Sequence, residues 1–160
     1  MAIANFEELC AGFCEVIGVA PPALKADANG LVAFHVIFRD MIVNLVHRPD
    51  VSPDHVFVVF EVGPLGEDRE RASVQFQAFL EANFVLLQVN PPVFSRNPAT
   101  GDAILQYVYS LFEASPSGLY ELINKGIDTI VQCREDLPAV AVDRGHEHES
   151  PPLDMLLHIA

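Results

Sequence analysis

The stretch from Arg69 to Gln88, RERASVQFQAFLEANFVLLQ, carries more apolar surface than one packing partner can cover. Projected as a helix, Ala72, Phe76, Phe79, Leu80, Leu86 and Leu87 fall on one stripe with Asn83 inside it. Val74, Ala78, Ala82 and Val85 fall on another, and only a wedge of Ser73, Gln77, Glu81 and Gln88 is plainly solvated. A sheet buries one stripe of a helix, so the second requires another helix or another subunit. The chain is therefore expected to be more than a self-sufficient monomer.

The flanking segments supply the sheet. Leu31 to Phe38, Met41 to His47 and His55 to Val62 read as three strands, rich in β-branched and aromatic residues on both faces. Arg39-Asp40 makes a tight reversal between the first two. Val93 to Arg96 and Asp102 to Ser110 read as a hairpin about the turn Asn97-Pro98-Ala99-Thr100-Gly101. An amphipathic helix from Ile3 to Ile17 precedes them, with Asn5 and Glu8 as a capping box and Gly18 as its stop. Another helix begins at Ser115-Pro116 and runs to about Arg134, with Leu119, Leu122, Ile123, Ile127, Ile130 and Val131 on one stripe. The order is α-β-β-β-α-β-β-α, an α+β sandwich with one five-stranded antiparallel sheet. Residues 1–134 form the domain, and 135–160 read as a proline-containing tail, partly disordered or docked.

Charge narrows the partners. With 22 acidic against 9 basic side chains the formal net charge is -13, which opposes binding to nucleic acid or to an anionic membrane surface. No apolar run reaches the ~18 residues of a membrane span, and residues 1–20 lack the basic region of a secretory signal, so a cytoplasmic protein is expected. Cys10, Cys14 and Cys133 are odd in number and lie in helical patterns, where they read as small hydrophobes and not as a disulfide framework or half of a metal site. Six histidines are present, but no nucleophile elbow, HExxH or phosphate-binding glycine loop accompanies them. His146-Glu147-His148 offers two metal ligands, too few to close a site. No enzyme, cofactor or metal is expected.

Several short motifs in order carry a resemblance. These are the amphipathic helix ending at Gly18, Val62-Gly63-Pro64-Leu65-Gly66, Phe79-Leu80-Glu81-Ala82-Asn83, and Asn97-Pro98-Ala99-Thr100-Gly101-Asp102 leading into Leu105-Gln106-Tyr107. Over residues 3–134 the chain resembles the class I chaperones of bacterial type III secretion, the Tir-chaperone or CesT-like family. It departs from the usual pattern at Asn90-Pro91-Pro92. The resemblance implies a homodimer that binds the N-terminal, non-globular segment of a secreted effector protein and keeps it soluble and secretion-competent. It also places Val74, Phe76, Ala78, Phe79, Asn83, Val93 and Phe94 at the dimer interface.

With strands ordered 1-2-3-5-4 and the fourth taken up by the dimer, the first strand is left as an open edge. An extended effector segment adds to such an edge through its main chain while its side chains enter pockets between strand and helix. Phe6, Leu9, Phe13, Val32, Phe34, Val36 and Phe38 are the expected effector-binding residues. A structural dimerisation module without a client is the competing reading. The apolar Leu153 to Leu157 segment of the tail is a candidate placeholder for the same groove.

Overall fold

A computed structural model describes residues 5–65, 69–86 and 88–142. Helix α1, Phe6–Ile17, starts where Asn5, in extended conformation, accepts the Glu8 N–H on its side-chain oxygen at 2.9 Å. It ends at Gly18, whose φ of 73° suits a residue without Cβ. Strands β1 (Val32–Phe38) and β2 (Met41–His47) are joined by Arg39 and Asp40 alone, both at positive φ (50° and 61°). Such a turn matches the twist of the strands it connects. The Arg39 guanidinium bonds Asp128 at 2.8 Å and Asn124 at 3.3 Å, and so ties this turn to the last helix.

Strand β3, His55–Gly63, pairs with β2 and then with β5, Ala103–Ser110; β4, Val93–Arg96, closes the far side. Every pair is antiparallel and the order is β1-β2-β3-β5-β4, as the sequence leads one to expect. Helix α2, Arg69–Val85, connects β3 to β4, and α3, Pro116–Val142, ends the described chain. Ser115 caps α3 by accepting the Gly118 N–H at 3.0 Å. The helix runs eight residues beyond the expected boundary at Arg134 and continues past Pro138. Proline there removes one main-chain donor, and the turns on either side hold the helical path. Tail residues 143–160, with the His146 and Leu153 motifs, lie outside the described residues.

Alternation sorts the strand residues cleanly between the two faces. Met41, Val43, Leu45, Val56, Val58, Phe60, Val62, Phe94, Leu105 and Tyr107 are buried on the face that receives the helices. From α1 come Phe6, Leu9, Cys10 and Phe13, and from α3 come Leu119, Ile123, Ile127 and Ile130. Leu122 is only half-buried and Val131 is exposed, so the α3 stripe is narrower than its spacing suggests. The other face carries Ile37, Ile42, Asn44, Val46, Phe57, Val59, Glu61, Ile104, Gln106 and Val108, none of them buried. Its β-branched and aromatic residues shelter one another across strands, and among the described residues no second layer lies over them.

At Gly126 the α3 backbone presses on the sheet: a methyl placed there would sit 2.4 Å from the Phe60 ring. Gly126→Ala is expected to destabilise the chain by about 1 to 3 kcal/mol, the overpacking penalty outweighing the gain in helix propensity. Chemical denaturation with an unchanged m-value checks it.

Candidate functional site

A sheet of five strands has two edges, and the chain treats them differently. Along β4 the edge is closed from within. Asn83 on α2 donates its amide N–H to the Phe94 carbonyl at 3.0 Å and accepts the Phe94 N–H at 2.7 Å. One carboxamide thus satisfies both main-chain groups that Phe94 turns away from β5. Phe79 stacks on Phe94 with ring centroids 4.5 Å apart, and the Arg96 guanidinium lies 5.9 Å from the Phe76 ring centroid. Helix α2 therefore lies along the β4 edge as a cover.

This changes the expected interface. Phe79 and Phe94 are buried inside the chain, and the Asn83 amide is engaged within it, so these three belong to the monomer's own packing. Val74, Phe76 and Ala78 are half-buried and Val93 is 41% exposed. The large apolar residues that α2 leaves in the open are Leu80 and Phe84, one turn apart, together with Val85. The sequence pattern puts Leu80 on one stripe with Phe76 and Phe79 and leaves open which stripe meets the sheet. Asn83 and Phe79 are what meet β4, and that rotates Leu80 outward. Phe84 carried a signal that went unused, its position one turn beyond Leu80.

Along β1 the edge is open for most of its length. In a ladder closed by a two-residue turn, Phe38 and Met41 form a hydrogen-bonded pair, and such pairs alternate along the strands. Phe38, Val36 and Phe34 therefore spend their main-chain groups on β2, and those of Ala33, His35 and Ile37 point off the sheet. The lower end is covered by the chain itself. Ala26 bridges to Val32, and the Asp27 N–H donates to the Leu31 carbonyl at 2.8 Å. The Asp27 carboxylate, in turn, accepts from the N–H groups of Asn29 and Leu31 at 2.8 and 2.9 Å, and Gly30 takes a φ of 75°. What remains accessible is Phe34 to Phe38. That stretch contains no proline and no charged side chain, the usual devices that blunt an edge.

Beside this edge, Val32, Phe34, Val36 and Phe38 are half-buried on the helix face. Phe38 meets Tyr120 edge to face at 5.6 Å. A cleft of about 240 Å³ opens at the lower end, lined by Phe6, Leu24, Ala26, Val32 and His47 with Asn5 and Glu7. The Phe6 and His47 rings stand 5.2 Å apart within it. Of the expected helix contributors, Leu9 and Phe13 are fully buried and Phe6 nearly so. The apolar face of α1 is the one pressed into the core, so Leu9 and Phe13 do not line the strip, and Phe6 alone reaches the cleft.

Chemistry of other kinds finds little here. Burial, and secondarily the neighbouring Cys14, pushes the Cys10 thiol up to about 12, and burial raises Cys14 as well, which keeps both protonated. Among the described residues no three His, Cys, Asp or Glu side chains converge as metal ligands. No described helix is long and apolar enough to cross a membrane.

Comparison with known proteins agrees with this fold. The profile of the Tir chaperone protein (CesT) family matches residues 8–134. A chain of the HopA1–SchA chaperone–effector complex shares the fold, with a TM-score of 0.59 at 15% identity over 81% of this chain and 93% of that one. A chain of the ExsC–ExsE complex is similar, at a TM-score of 0.58 and 17% identity over 79% of this chain and 91% of that one. Curated protein sequences give no match.

Replacing Asn83 by alanine leaves the Phe94 N–H and carbonyl without their protein partner. Each such loss costs about 1 to 3 kcal/mol. The expected result is a clear fall in the unfolding midpoint together with faster hydrogen exchange at the Phe94 amide, measured by NMR.

Proposed function

The chain belongs to the Tir chaperone protein (CesT) family, and from that premise we propose that it is a cytoplasmic type III secretion chaperone. Its client is the N-terminal, non-globular segment of a secreted effector, which it keeps soluble and competent for export. It works by binding alone, without catalysis or a cofactor. The observation that carries this reading is the unprotected β1 edge from Phe34 to Phe38 beside a half-buried apolar strip. The solved fold relatives point the same way, since one of them is described as a chaperone–effector complex.

Magnitudes decide how such a site must work. Ordering five client residues costs about 5 to 10 kcal/mol at ~1–2 kcal/mol each. Four main-chain bonds at His35 and Ile37 return about 2 to 6 kcal/mol at ~0.5–1.5 kcal/mol apiece. The edge alone therefore does not hold a client. Burial at ~25 cal/mol per Å² needs a few hundred Å² more, which makes the strip of Val32, Phe34, Val36 and Phe38 the source of affinity. The net charge of -13 favours basic or neutral segments, with a reach of only ~8 Å at physiological salt.

A second copy of this chain docks on α2 in this reading, through Leu80 and Phe84 with Val74, Phe76, Ala78 and Val93 at the margins. The pair Leu80→Asp and Phe84→Asp is expected to convert a dimer into a folded monomer, seen as a halved mass by light scattering at an unchanged far-ultraviolet spectrum. His35→Pro tests the edge. It removes an outward N–H without touching the β1–β2 ladder, so the fold persists while a coexpressed, tagged effector segment is lost from pull-down. Retention of that segment by the proline variant would refute strand addition.

A further inference from the structure

Natural sheet edges carry lysine, proline or a bulge where they must not pair, and the side chains that flank them on an uncovered face are commonly polar. The β1 edge does the reverse at Ile37. Its side chain is 69% exposed on the sheet face that no described helix covers. Directly across the ladder stands Ile42, itself 38% exposed. Two β-branched residues thus adjoin the edge on that face, at the same level where the Ile37 main chain points outward. Among the described residues no packing uses the outer flank of Ile37. A strand laid along β1 would complete the row.

The register of such a strand is restricted. At the lower end the Ala26–Val32 bridge and the Asp27 turn occupy the edge, and at the upper end the chain reverses through Arg39 and Asp40. Between these stops the added residues sit beside Phe34 to Phe38, and the face alternates along them. Those that point toward the helices meet Phe34, Val36 and Phe38. Those that point the other way meet His35 and Ile37.

We propose that the β1 edge reads its client on both faces, with Ile37, backed by Ile42, selecting a large apolar residue on the face away from the helices. The partner is thus an extended segment apolar on both sides over about five residues, not an amphipathic strand with one polar face. An apolar neighbour across the new ladder buries the exposed flank of Ile37 where a polar one leaves it wet, which gives Ile37 its selectivity. This deepens the strand-addition reading and rests on it.

Two synthetic peptides test it on the full chain: Lys-Lys-Val-Ile-Val-Ile-Val-Lys-Lys and Lys-Lys-Val-Ser-Val-Ser-Val-Lys-Lys, titrated by calorimetry. The wild-type chain is expected to prefer the isoleucine peptide at least tenfold. Ile37→Ser should reduce that preference to twofold or less while leaving the affinity for the serine peptide within twofold. Ile37→Val should restore it. An unchanged preference in Ile37→Ser, or equal binding of both peptides by the wild type, overturns the role of Ile37. His35→Pro separates the two levels: if it abolishes binding while the preference is unaffected by Ile37→Ser, only the present inference fails. If either peptide binds the proline variant as well as the wild type, or neither binds the wild type at all, the edge reading itself fails.

Discussion

Main-chain amides at the rim of a sheet must find partners, and this chain satisfies that requirement on one side only. The carboxamide of Asn83 performs for Phe94 the service that another strand would have given. Because that clasp draws α2 along β4, the helix hides one rim and turns Leu80 and Phe84 away from the core. Among the described residues the opposite rim is paired only at its lower end, by the Ala26–Val32 bridge and the Asp27 turn. On the function proposed above, asymmetry between the two rims, and not any single pocket, separates a surface for a copy of this chain from a surface for a client.

Much of this was legible from the sequence. Helix and strand positions, the Asn5 and Ser115 caps and the Gly18 stop follow from local chemistry that tertiary packing does not override, whereas the strand order is a tertiary property that entered as a premise beside the family resemblance. Side-chain destinations on α2 were not legible. Its two apolar stripes are of similar strength, and the Phe79 stack on Phe94 together with the bond pair between Asn83 and Phe94 fixes the helix's rotation about its own axis. That pair joins residues on different elements, and no periodicity within either element announces it. For α1 the failing was of another kind: Leu9 and Phe13 lie on the face the pattern marks as apolar, but a pattern does not say whether an apolar face meets a client or the core.

The partial cover over the lower end of β1 was also invisible beforehand. Ala28-Asn29-Gly30 reads as a turn, and a turn it is. The added fact is that Asp27 folds that turn back against Leu31 and Val32, which shortens the usable edge. A strand of seven residues thus offers a slot for about five, and a shorter slot has fewer registers in which an extended segment can slip.

The tether of Arg39 to Asp128 and Asn124 has a consequence for timing. An outermost strand held only by its neighbour frays from its free corner, and a guest then has to straighten its host before it can bond to it. Here the corner is pinned to the longest helix of the fold, and the Asp27 turn pins the other end. The strand is stretched like a string between two pegs, and the entropy of straightening it is lost when the chain folds, before any guest arrives.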